Sequence, residues 1–231
     1  MRTLDPDTAQ PAAWREYARD SILEINDGIA SAAGIAEGFA TAGATLHTFL
    51  LAGLTLIVAG ALAAAGARYS EVRTEWEMNR SLIEDERASL LADPEGELEE
   101  LVGIYQAKGL EPQLARQIAE ALSGRDPVAA HVDAELRLDQ MGTSSGAVPA
   151  AAIAGLSYGL GATVPLLLIY FLPLEERVAL TLVVVLLALA LTGSIAARLT
   201  GLPTIRMVRR NVTLGVATMT AAIIVGFAVH I

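Results

Sequence analysis

Two acids stand in a stretch of sequence that otherwise holds little charge. Asp27 and Glu37 lie in the Gly- and Ala-rich segment Ser21 to Thr45. A carboxylate inside a lipid-spanning helix costs about 2.5–3.5 kcal/mol on insertion scales, so it persists where it faces a polar cavity, a partner or a passing ion. Ten residues of helix set the two about 15 Å apart along the axis and about 80° apart around it, which lets both line one path. A second group of acids follows. Glu97 and Glu100 are three residues apart and share a helix face, and Glu86 precedes a helix break from which it could fold back onto them. Clustered carboxylates without thiols suit hard or borderline dications such as Mn²⁺, Fe²⁺, Mg²⁺ and Ca²⁺, and this chain has no Cys. A carboxylate holds a dication or protons but not both well, because ligation needs the deprotonated form. Exchange of a metal for protons therefore has a direct physical basis. On composition alone, blander readings stay open. The second group also reads as solvated helix faces and partners for Arg80, Arg87 and Arg116. Asp27 also reads as an interfacial cap, and Glu37 as a protonated acid hydrogen-bonded to a neighbouring helix.

The elements that must position these groups follow from composition. Of 231 residues, 53% are hydrophobic and 18% charged, and mean hydropathy is +0.48. A soluble chain usually carries about 25% charged residues, so an integral membrane protein is expected. Thr48 to Ala67, Met141 to Leu174, Val178 to Ala197 and Asn211 to Ile231 contain no Asp, Glu, Lys or Arg. Each is long enough to cross a ~30 Å hydrocarbon core as a helix. Ser21 to Thr45 makes a fifth span, its small residues suited to close helix packing. With five spans, fifteen of the 16 Lys and Arg fall on one side, including Arg198, Arg206, Arg209 and Arg210 in a loop before the last span. That side is read as cytoplasmic, with the N-terminus inside and the C-terminus outside. No cleavable signal peptide is visible at the polar N-terminus. Trp14, Tyr17, Ala18, Ile22 and Ile25 fall on one helical face, which predicts an amphipathic surface helix ahead of the first span.

Between the second and third spans, residues 68–140 hold seventeen of the 26 Asp and Glu against eight Lys and Arg, nearly the whole net charge of −10. The pattern predicts ordered helices. Arg68 to Leu91 is helical until Asp93-Pro94, Glu97 to Ala107 stops at Gly109, Pro112 opens a helix that stops near Gly124, and Asp126-Pro127 caps a fourth. The domain expectation is thus an interfacial segment at 1–20, two spans in 21–67, an acidic helical domain at 68–140 and three spans in 141–231.

The order of these features resembles the vacuolar iron transporter family. Asp27-Gly28-Ile29-Ala30-Ser31-Ala32-Ala33-Gly34 is similar to its first-span signature, and Asp93 to Leu110, Leu114 to Glu120 and Ala130 to Leu136 are similar to its cytoplasmic domain. The resemblance implies an all-α membrane protein, a homodimer of five-span subunits in lipid, each with an inserted cytoplasmic helical metal-binding domain. It implies export of Fe²⁺, often with Mn²⁺, from the cytosol by proton antiport, with metal as substrate and no permanently bound cofactor. It matches the pore acid to Asp27 and the cytoplasmic ligands to Glu86, Glu97, Glu100 and Glu135. The chain departs from the pattern at Ala64 in place of a pore Met, Arg68 in place of Glu, Ser89 and Leu138 in place of Glu, and His131 near a methionine pair. With Ala64 unable to ligate, Glu37 is expected to supply another ligand or the proton site.

Other classes fit poorly. A net charge of −10 argues against nucleic acid. There is no P-loop and no HExxH pair, so neither ATP-driven pumping nor an enzyme is expected. His47, in the outer turn, and Met78 read as a solvated residue and a packing residue. A membrane-anchored metal sensor or buffer of the same fold is the alternative to transport. A bacterial plasma membrane is the expected location.

Overall fold

A computed structural model describes residues 10–136, 146–171 and 177–229. All regular structure among them is helical: α1 (Gln10–Thr41), α2 (Leu46–Ala92), α3 (Pro94–Ala107), α4 (Pro112–Ser123), α5 (Pro127–His131), a π-helical segment (Val132–Leu136), α6 (Ala147–Phe171), α7 (Arg177–Thr200) and α8 (Thr204–Val229). The chain divides into two compact units. Unit 1 joins Met1–Tyr69 to Val148–Ile231, and unit 2 is Ser70–Ala147. Leu138 and residues 172–176 lie outside the described residues.

Four helices are long and apolar enough to cross a membrane: α2, α6, α7 over Ala179–Thr200, and α8. Each overlaps one of the four uncharged stretches of the sequence. α1 is not among the four, because Arg19, Asp20, Glu24, Asp27 and Glu37 punctuate it. It is nonetheless deeply packed, with Ile29, Ala32, Ala33 and Ala36 buried. α1 and α7 run antiparallel. Ile22 clusters with Ala196 and Ala197, Asn26 accepts a hydrogen bond from the Thr192 hydroxyl, and Ile29 and Ala33 cluster with Val185 and Leu189.

Glycine sets the spacing between α1 and α6. A Cβ on Gly28 would lie 2.2 Å from the Tyr158 carbonyl oxygen, and one on Gly161 would lie 2.1 Å from that of Ile25. Neither position has room for a methyl group, so the backbones themselves make the contact.

Two elements, α1 and the start of α8, differ from the sequence expectation. α1 is one helix of 32 residues, not a surface helix followed by a span, because no Gly or Pro interrupts Ala12 to Asp27. Ile22 accordingly packs inside unit 1, whereas Tyr17 is exposed; the Trp14 side chain lies outside the described residues. α2 joins the uncharged run to the helical stretch that the sequence ends at Asp93-Pro94, for 47 residues and about 70 Å. Arg206, Arg209 and Arg210 lie in the first turns of α8 rather than in a loop. The connection is only Gly201 to Pro203, with Gly201 at φ 68° and the Pro203 carbonyl accepting from the Arg206 amide.

Unit 2 is built as its punctuation predicts. The Asp93 carboxylate accepts from the Gly96 amide at 3.0 Å, with Pro94 opening α3. Gly109 ends it at φ 96°. Asp126 accepts from the Ala129 amide at 3.1 Å, with Pro127 opening α5. A small core of Leu101, Val102, Ala115, Ala119, Ala130 and Ala134 holds α3, α4, α5 and the π segment together.

Candidate metal centre

His131 ends α5 on the side of the Ala130 and Ala134 core, and its side chain has no solvent exposure. Three carboxylates surround its Nδ1. Glu86 Oε1, from α2, is at 3.0 Å, Glu135 Oε1, from the π segment, at 3.6 Å, and Glu97 Oε2, from the first turn of α3, at 3.7 Å. Each position has a local cause. The Asp93 cap and Pro94 fix where α3 begins and so where Glu97 stands. The wider π turn follows directly on His131 and carries Glu135 four residues later back to the same imidazole.

One potential ligand atom from each of Glu86, Glu97 and His131 lies within 4.8 Å of the other two. Ligands about 2.0–2.2 Å from one ion stand at most about 4.4 Å apart, so small side-chain rotations close the set. The Glu86 and Glu97 side chains are only 13% and 16% exposed, and that of Glu135 is 27% exposed. Burial first, then the charges of Glu135, Glu97 and Glu100, push the Glu86 carboxyl above the usual carboxylate range, while His131 pulls the other way. Glu86 Oε1 and both nitrogens of His131 are buried without a hydrogen bond, although Oε1 and Nδ1 are only 3.0 Å apart. A buried group left in that state is costly unless something fills the gap.

Of the four acids matched by resemblance, Glu86, Glu97 and Glu135 come together. Glu100 is exposed and outside ligand reach of His131, although its charge is felt at Glu86. Ser89 is exposed. His131 is the member that sequence reasoning did not select. Its signal was the His131/Glu135 spacing of four, one helical turn.

In unit 1, Asp27 is exposed on α1, next to the Gly28 crossing. Glu37 is 2% exposed, and neither carboxylate oxygen has a hydrogen-bond partner, so the hydrogen-bonded alternative is not what the structure has. The α1–α7 register carries Glu37 to the level of Thr181, whose buried hydroxyl is likewise unpartnered. Arg68 on α2 pairs with Asp20 on α1 at 2.6 Å, both side chains about one-fifth exposed.

Comparison with known proteins finds relatives by sequence. A vacuolar iron transporter of rice, Vacuolar iron transporter 1, is 30% identical over 190 residues, covering 80% of this chain and 75% of that protein. Vacuolar iron transporter 1 of Arabidopsis thaliana is 26% identical over 223 residues, covering 95% and 88%. A vacuolar iron transporter of Acanthamoeba castellanii is 36% identical over 130 residues, which is 56% of this chain and 45% of that protein's length. Residues 18–227 match the VIT family as a whole, and the chain belongs to that family.

Proposed function

We propose that the protein moves divalent metal, Fe²⁺ or Mn²⁺, out of the cytosol in exchange for protons. The observation that carries this reading is the meeting of Glu86, Glu97 and Glu135, from three separate stretches of chain, around one buried point in unit 2. Such a set releases protons when it takes up a dication and takes them back when the metal leaves. Iron as cargo is supported by the relatives, which are named vacuolar iron transporters. Metal is substrate here, not a resident cofactor.

In this reading unit 2 is the cytoplasmic capture domain and α1 is a fifth span beside α2, α6, α7 and α8. The basic residues then lie inside with the N-terminus, and the C-terminus lies outside. Asp27 and Glu37 supply the intramembrane carboxylates. Asp27 is open on the single chain, and α2 exposes Leu51, Leu54, Val58 and Leu62. Both features suit a homodimer in lipid with Asp27 facing the path. One observation favours a second reading, a sensor or buffer without transport. The Arg68–Asp20 pair puts a fixed cation where metal would enter the spans.

Flux separates the two. In vesicles with an imposed pH gradient, the wild-type chain is expected to accumulate Fe²⁺ or Mn²⁺, and Asp27→Asn to abolish that flux while leaving the protein folded and metal bound at unit 2. Wild-type metal binding with no counterflow establishes the sensor instead, and unchanged flux in Asp27→Asn removes Asp27 from the path.

A further inference from the structure

We propose that the imidazole of His131 is itself a metal ligand, completing a nitrogen-and-oxygen donor set with Glu86 and Glu97 that selects first-row transition dications over Mg²⁺ and Ca²⁺. The inference rests on the capture reading above and names the ion class of that site.

The cluster differs from an ordinary acidic patch in one respect. The side chain at its centre is fully buried, is aimed at three carboxylates, and has no hydrogen bond at either nitrogen. A histidine buried for packing would donate one N–H to a carbonyl or carboxylate in good geometry, since leaving a buried polar group unpaired costs about 1–3 kcal/mol. Here Nδ1 and Glu86 Oε1 lie 3.0 Å apart with no hydrogen bond at either atom. A cation between them satisfies both atoms at once, and Glu97 completes a group within 4.8 Å.

Donor chemistry then sets the ion. Mg²⁺ and Ca²⁺ take six or more oxygen ligands and gain little from an imidazole. First-row transition ions bind imidazole strongly, in an order that rises from Mn²⁺ through Fe²⁺ and Co²⁺. Glu135, at 3.6 Å from Nδ1 and the most open of the three acids, stands where an arriving or leaving ion first meets the set.

The test uses the full chain in detergent, with Co²⁺, Mn²⁺, Mg²⁺ and Ca²⁺ as probes. The chain has three His, so His47→Gln and His230→Gln form the background in which any imidazole signal comes from His131. In that background, pulsed EPR of bound Mn²⁺ is expected to show imidazole nitrogen coupling, and His131→Gln to remove it. Calorimetry is expected to show Co²⁺ binding weakened at least about tenfold by His131→Gln, with Mg²⁺ and Ca²⁺ binding unchanged. Metal bound without nitrogen coupling, or equal Co²⁺ affinity in His131→Gln, overturns the ligand assignment and leaves the capture reading standing. No divalent ion bound to the wild-type chain overturns both. Should His131→Gln fail to fold, the nitrogen coupling in the background chain decides alone.

Discussion

Around His131, carboxylates from α2, α3 and the π segment lie between 3.0 and 3.7 Å of one nitrogen. In unit 1, Asp27 and Glu37 stand ten residues apart on a single helix, one exposed and the other 2% exposed. The contrast extends to what holds each unit. Unit 1 is spaced by glycine, with backbones in contact where α1 crosses α6. Unit 2 is a small alanine-rich core beside an accumulation of like charge. The lesson is that steric fit governs one region and electrostatic tension the other. The same kind of substitution should therefore have opposite consequences in the two.

The largest effect is expected at the crossing. Gly28→Val forces branched carbons into the Tyr158 carbonyl and the Ala162 amide, both backbone atoms that cannot rotate away. A cost of about 3 kcal/mol or more is expected, visible as a lost or strongly lowered thermal midpoint in detergent. A near-neutral result would mean that unit 1 is not governed by steric fit.

A smaller effect of opposite sign is expected at Glu86. Its folded carboxyl sits above the ordinary value of 4.5 because of burial and neighbouring acids. Between that value and the raised one, the folded chain binds more protons than the unfolded chain, so metal-free stability falls as pH rises. Glu86→Gln removes the penalty. It should raise the metal-free thermal midpoint at neutral pH, and the gain should shrink as pH falls toward 4.5. A gain independent of pH, or none, would remove electrostatic tension as the distinguishing property of unit 2.

The smallest effect sharpens the steric half of the comparison. Gly103 lies within α3, where an added Cβ meets nothing within 4 Å. Gly103→Ala should stabilise by about 0.5–1 kcal/mol through helix propensity alone, measured by chemical or thermal unfolding. The same glycine chemistry would then give opposite signs at residues 28 and 103.

The sequence disclosed the parts of this molecule that are local. Four spans were legible from uninterrupted apolar runs, and the helix starts of unit 2 from Asp93-Pro94 and Asp126-Pro127, because a cap is a contact within three residues. Continuity was less legible. Charged residues at 15–24 and at 68 look like boundaries, yet charge does not interrupt a helix, and α1 and α2 run straight through them. The site was legible in part. Residue type picked out Glu86 and Glu97, and family resemblance Glu135, but whether Glu100 joins them depends on which way α3 is turned, and the chain turns it outward. His131 went unselected because burial, not residue type, makes it the centre, and burial is decided by the Ala130 and Ala134 core around it. The opposite fates of Asp27 and Glu37 rest on which neighbours cover each side of α1.

The π segment at Val132–Leu136 gives the cluster a dependence on counting. Such a turn accommodates one residue more than an α turn, so losing a residue there would close it to an α turn and move Glu135 from four to three residues after His131. Its carboxylate would then meet the imidazole at a different height and angle although every ligand type remained in the chain. Among relatives of this protein, a one-residue gap at that point is therefore a more telling mark of an altered centre than many changes of amino acid elsewhere.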